Sequence, residues 1–307
     1  MTWQLVIVGL SVGALAGATG VGGGSLMTPI LVLFLGFQPT VAIGTDLANG
    51  ALFKTAAAWR HRRQGVVNLT VTVWLLIGSA PASLLGVATA SWIHGKSDSH
   101  GVEARVLGAA LLLGGLGYFL RTVIRSKEEE RYGVRMDGRT RAIAVVAGAI
   151  GGFLVGLTSV GSGIFFALLM LTMFSMRPAA VVGTDLAHAA ALLWVAGTGH
   201  VIAGNVDMHA LGWLLLGSIP GSLIGASWTL HIPDRALRLG LAVILIASGI
   251  AVSEPPGAAP IAVTIAAVGV VLLALGTIQG GRFAPAPLRR FLIPTPAEPV
   301  ASPDRHS

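Results

Sequence analysis

No cysteine occurs among the 307 residues, which excludes disulfides, thiolate metal sites and thiol chemistry. The redox compartment cannot be read from that absence. Charge is scarce as well. Asp, Glu, Lys and Arg make up 11% of the chain against 54% hydrophobic residues, and mean hydropathy is +0.80. Ordinary soluble domains carry roughly 25% charged residues, so this chain has too little polar surface to solvate a globule. The opening Met1-Thr2-Trp3-Gln4 has no basic segment before an apolar one, and no small-residue cleavage pattern follows, so it is read as mature sequence.

What the chain has instead is long apolar stretches. Residues 66–93 and 261–278 are each long enough to cross a bilayer, which takes about 20 residues of helix. The expected class is therefore an all-α polytopic membrane protein. The net charge of +7 could suggest nucleic acid, but the placement of the basic residues argues for membrane orientation. Seventeen of the 20 Lys and Arg can lie on one side, in 60–63, in 121–141 and at seven later positions. Lys96 and Arg105 fall opposite, and Lys54 falls inside a span. That asymmetry is the positive-inside pattern. A nucleic-acid partner is not expected.

The chain also contains one pattern twice, at a constant shift of 139 residues. Gly22-Gly23-Gly24 matches Gly161-Ser162-Gly163, and Gly44-Thr45-Asp46-Leu47-Ala48 matches Gly183-Thr184-Asp185-Leu186-Ala187. The match continues through Pro39/Pro178, His61/His200, Gly65/Gly204, Trp74/Trp213 and Pro81/Pro220. Each copy opens with apolar pieces broken at glycines (3–36 and 142–175), read as a re-entrant hairpin or as two broken helices. Spans follow near 40–59, 67–93 and 104–120, and then near 180–199, 208–230 and 236–252.

A hairpin plus three crossings is an odd unit, so the second copy is expected to be inverted. Two loops agree: Arg60-His61-Arg62-Arg63 is basic, while its counterpart Gly199-His200-Val201-Ile202 has no Lys or Arg. The expected organisation is a first repeat at 1–120, a cytoplasmic charged linker at 121–141 and a second repeat at 142–252. An extra span at 253–280 and a disordered, proline-rich cytoplasmic tail at 281–307 follow. Residues 94–103 and 200–207, and the N-terminus, are expected outside; 60–65, 121–141 and the C-terminus inside. Glycines four apart at Gly9-Gly13-Gly17 and Gly148-Gly152-Gly156 recur at the same shift and suit close helix packing.

With these motifs in view, the chain resembles the sulfite exporter TauE/SafE family of membrane permeases. The resemblance rests on 17–49 and 156–188, on Gly78-Ser79-Ala80-Pro81 and on Gly217-Ser218-Ile219-Pro220. It implies a multi-pass protein of the bacterial inner (plasma) membrane: a secondary transporter of a small anion, often sulfur-containing, such as sulfite or a sulfonate. Alternating access between the repeats, without an ATPase or another cofactor, is the expected mechanism, and no enzymatic role is expected. The other function classes to be tested are a membrane assembly or binding factor without transport and an intramembrane enzyme using Ser25 or Ser162.

The residues offer several site candidates, each with a plainer alternative. At the two breaks, helix N-termini have unpaired N–H groups, and glycines let an oxyanion reach them. Thr19, Gly22, Gly23, Gly24 and Ser25, with Thr158, Ser159, Gly161, Ser162 and Gly163, are the candidate substrate site; otherwise the glycines only permit tight turns. Asp46 and Asp185 lie several residues into their spans, where an ionised carboxylate is costly. They are candidate proton carriers, or else helix caps.

Asn49 and His188 share one slot in the two copies and are candidate substrate contacts, or satisfied interhelical bonds. Lys54 could neutralise substrate charge, but snorkelling toward the cytoplasmic face is the favoured reading. Trp74 and Trp213 fit an interfacial aromatic belt. Residues 90–97 loosely match a phosphate loop but lack a preceding strand and would face outward. His94, Asp98, His100 and Glu103 have no recognised metal spacing and are read as a solvated external loop, so no metal is expected.

Overall fold

The computed structural model of the chain describes residues 2–19, 24–63, 65–96, 99–123, 136–160, 178–228 and 234–253, with short pieces at 165–166, 169–170, 174 and 176. Among these, every regular element is a helix. The first half holds α1 (Thr2–Thr19), α2 (Gly24–Leu33), α3 (Pro39–Arg63), α4 (Leu69–His94) and α5 (Ser99–Val123). The second holds α6 (Gly138–Thr158), α7 (Pro178–Ile202), α8 (Met208–Trp228) and α9 (Asp234–Ser253). The expected span near 260–278, the tail 281–307 and residues 124–135 of the linker lie outside the described residues.

Local sequence explains where the helices start and stop. Pro39 and Pro178 open α3 and α7, where a missing N–H costs nothing. Both helices close on a glycine in the left-handed region, Gly65 (φ 70°) and Gly204 (φ 76°), whose N–H groups bond Arg62 O and Val201 O at 3.1 Å. The next helices start on side-chain caps. Asn68 Oδ1 accepts from Val71 N at 3.2 Å, and Asp207 Oδ1 accepts from Ala210 N at 2.9 Å. Asp137 caps α6 in the same way, and the Thr140 hydrogen bonds hold its carboxyl below the usual carboxylate range.

Four helical stretches are long and apolar enough to cross a membrane: Leu69–His94, Gly138–Thr158, Ala180–Ile202 and Met208–Gly225. The 25-residue α3 is as long as α7 and carries Asp46, Lys54 and three arginines. The opening limbs differ in length: α1 has 18 residues and α6 has 21, a near-complete crossing, whereas α2 has only 10, about 15 Å.

Large apolar side chains lie outside as well as in the core, and polar and charged side chains are buried among apolar ones. Large apolar side chains such as Leu85, Leu113 and Leu216 are more than 60% exposed, while Thr45, Asp46, Asn49, Lys54, Asp185 and His188 are buried. An apolar exterior around a core that holds a buried polar cluster suits lipid as the surrounding solvent.

The two halves interlock. α1 packs along α8, α6 along α4, α9 along α5, and α3 along α7 at the centre. The first two contacts are backbone-close. A Cβ added at Gly13 would strike the backbone of Ser218, and one at Gly152 that of Ser79. Where lipid supplies no hydrophobic drive, such close approach is what holds helices together.

Candidate functional site

The Gly-Thr-Asp motif of each half has three separable roles at the α3/α7 contact. Gly44 leaves room for the Asn205 carbonyl, and Gly183 leaves room for Val66. Thr45 Oγ1 accepts from Asp207 N at 3.0 Å, and Thr184 Oγ1 accepts from Asn68 N at 2.9 Å. Each threonine thus holds the capping residue that starts a helix of the opposite half. The aspartates that follow are buried, 1% and 2% exposed. Each is the eighth residue of its helix, so neither is an N-cap, and the capping alternative is set aside.

Asp46 Oδ2 accepts two hydroxyls, Thr28 Oγ1 at 2.7 Å and Ser159 Oγ at 2.8 Å. Thr28 belongs to α2, and Ser159 ends α6 in a left-handed conformation (φ 60°) uncommon for a non-glycine residue. Its N–H bonds Val155 O at 2.8 Å, the cap that stops α6. The site therefore draws on both halves. The positions 139 residues away from these two donors are Ala167 and Gly20, which have no hydroxyl, so Asp46 and Asp185 are not chemically equivalent.

One turn further along, Asn49 and His188 are each held by a serine of the opposite half. Ser218 Oγ donates to Asn49 Oδ1 at 2.6 Å, and Ser79 Oγ bonds His188 Nε2 at 2.9 Å. The tautomer that mirrors the first bond has Ser79 donating to Nε2 and the ring proton on Nδ1. Asn49 Nδ2, His188 Nδ1 and Asp46 Oδ1 are buried and have no hydrogen-bond partner among the described residues. Buried polar atoms are nearly always paired, so three left open in one core make it a candidate site. Phe166 closes one side, its ring centroid 4.2 Å from that of His188.

Lys54 does not snorkel. It is 1% exposed and interacts electrostatically with Asp185 and Asp46. It lies eight residues after Asp46 on the same face of α3, and its slot in α7 is Leu193. Attraction to two buried carboxylates outweighs the pull of the distant interface.

Other predicted residues fall differently. Thr158 acts locally, its hydroxyl donating to Leu154 O at 2.7 Å and accepting from Val160 N at 3.3 Å. Thr19 ends α1, and Gly24 and Ser25 begin α2, with side chains outside the description. Gly22, Gly23, Gly161, Ser162 and Gly163 lie outside the described residues. Sequence reading missed Thr28, Ser79 and Ser218 as site residues. The two serines could have been found from their recurrence at the shared shift, each two residues before a proline, Pro81 and Pro220; Thr28 has no such signal.

Glu103 also departs from the solvated-loop reading. It is buried, with Oε1 2.9 Å from His94 Nδ1 and Oε2 accepting from Thr40 N at 3.3 Å. A carboxylate at the start of α3 complements the helix dipole there. Asp98 and the side chain of His100 lie outside the description, and no metal-capable cluster occurs among the described residues.

Comparison with known proteins follows the same lines. Residues 5–252 match the family model described as Sulfite exporter TauE/SafE. A probable membrane transporter protein of Bacillus subtilis (strain 168), YjnA, is 36% identical over 255 residues, covering 81% of this chain and 99% of its own. A second from that organism, YdhB, is 25% identical over 236 residues, covering 76% and 93%. A probable membrane transporter protein of Haemophilus influenzae is 26% identical over 265 residues, covering 78% and 94%. No solved structure matches the chain.

Proposed function

The chain belongs to the sulfite exporter TauE/SafE family of membrane transporters, and on that premise we propose that it is a secondary-active permease for a small anion, of the sulfite or sulfonate type. The observation that carries this reading is the polar core between α3 and α7. Donors from both halves converge there, around buried charges, inside an apolar chain. A transporter needs a site that either half can uncover, and a site assembled at the contact of two related halves meets that need.

The halves are read as inverted repeats that rock about this site, giving alternating access without nucleotide hydrolysis. Recurrence of the Thr45 and Thr184 bonds and of the Asn49 and His188 bonds at one shift supports that symmetry. The glycine-rich breaks beside α2 and α6 supply further donors to the substrate. Asp46 and Asp185 carry the coupling proton. The plasma membrane is the proposed location, with the N-terminus outside and the C-terminus inside.

Purified protein in liposomes tests the reading. Radiolabelled sulfite, thiosulfate, a sulfonate and a small carboxylate are offered under a proton gradient. Saturable uptake of one of them supports the carrier. Saturable binding without uptake supports a binding or assembly factor, and turnover without net movement supports an enzyme.

A further inference from the structure

The polar core of this protein holds a lysine beside its two aspartates, and the proposed function gives that lysine no role. Lys54 is buried in the middle of a helix pair that would otherwise be closed by leucine, as Leu193 shows in the equivalent slot. A buried ammonium is costly, and a leucine there would pack without that cost. Its burial therefore has to be matched by something the ammonium does. The charged or titratable side chains that interact with it are Asp46 on its own helix and Asp185 and His188 on α7. The adjoining α2 and α8 contribute Thr28 and Ser218, which do not titrate.

We propose that Lys54 is the direct counter-charge of the transported anion, kept in place by Asp46 and Asp185 until substrate arrives. The proposal rests on the transport reading above and names the residue that gives that site its selectivity for negative charge. With Asp46, Asp185 and Lys54 all ionised, the core carries one net negative charge, which repels an anion. A single proton taken up by either carboxylate frees the ammonium to pair with the incoming anion, and the net charge of the core stays as it was. One proton thus accompanies each monovalent anion in the same direction. Asn49 Nδ2 and His188 Nδ1, both buried and without a hydrogen-bond partner among the described residues, donate to the anion's remaining oxygens. The ligand class is a small oxyanion with at least two acceptor oxygens.

The test uses the full chain in liposomes without a proton gradient and reads equilibrium binding of radiolabelled sulfite at mildly acidic pH. The double variant Lys54→Met/Asp185→Asn has the same net core charge as the unaltered protein, so a purely structural role for the pair predicts unchanged half-saturation. The proposal predicts a rise of about tenfold or more, the loss of one hydrogen bond to a charged group, with Lys54→Arg staying close to the unaltered value. Asp185→Asn alone removes one competitor for the ammonium. It is expected to bind sulfite more tightly and with a shallower pH dependence, and this measurement stands even if the double variant does not fold. Wild-type half-saturation in the double variant, or unchanged affinity and pH dependence in Asp185→Asn, overturns the role of Lys54 and leaves the transport reading intact. No saturable sulfite uptake by the unaltered protein overturns the transport reading for this anion and the role of Lys54 with it.

Discussion

Ser159 donates its hydroxyl to Asp46 across 2.8 Å, tying the left-handed turn that ends α6 to the middle of α3. The bond joins the second half to the first at the point where the chain leaves a helix inside the protein. The residue that makes it is held in a backbone conformation that glycine would adopt more easily.

Replacing Ser159 separates those two roles. Ser159→Ala keeps the unfavourable backbone and loses the bond to a carboxylate, a loss of about 1.5–3 kcal/mol. Ser159→Gly loses the same bond and relieves a left-handed strain of about 1 kcal/mol. Thermal melts in detergent are expected to rank the natural residue first, glycine second and alanine third. Equal melting of the two variants would show that the φ of 60° carries no cost.

The serine pairs link the halves energetically as well as in space. Ser218→Ala and Asn49→Ala are expected to be non-additive, with a coupling of about 0.5–3 kcal/mol, because each removes the same 2.6 Å bond. The Ser79 and His188 pair is expected to behave alike. Additive effects in both cycles would mean that the bonds contribute nothing beyond packing.

Close helix approach sets a steric limit. Gly152→Val forces a side chain into the Ser79 backbone and is expected to cost about 1–3 kcal/mol or more, while disturbing the neighbouring bond to His188. Gly212, whose Cβ would meet nothing within 4 Å, is the control. Gly212→Ala is expected to be neutral or to raise the melting temperature, since alanine is the better helix former. Similar losses at both positions would contradict the packing described.

The sequence made the helical class, the α3/α7 pair and its polar side chains legible because these recur at one shift and because acids at depth stand out against apolar neighbours. Lys54 was misread for a physical reason. A long cationic side chain in a span can reach either the interface or a buried partner, and only the fold places Asp185 beside it. Thr28 and Ser159 were illegible as partners of Asp46 because their counterparts, Ala167 and Gly20, break the repeat. Glu103 looked like loop because nothing local reveals that the start of α3 packs over it.

Orientation is open to direct labelling, since the chain has no cysteine of its own. Arg62→Cys and Ala203→Cys each place one thiol at an exposed position, in the last turn of α3 and in the turn after α7. An impermeant thiol reagent added to whole cells is expected to label position 203 and not 62. The reverse pattern would invert the proposed topology.

The most direct measurement of the central claim compares two modes of sulfite movement in liposomes, uptake driven by a proton gradient and counterflow against unlabelled sulfite, in Asp46→Asn, Asp185→Asn and the double variant. The amide is nearly isosteric with the carboxyl and still accepts the Thr28 and Ser159 hydroxyls at position 46, so the variants are expected to fold and insert. Proton-driven uptake is predicted to weaken in each single variant and to collapse in the double variant, while counterflow survives in at least one single variant, because exchange of anion for anion needs no net proton movement. Full proton-driven uptake by the double Asn variant would contradict the account.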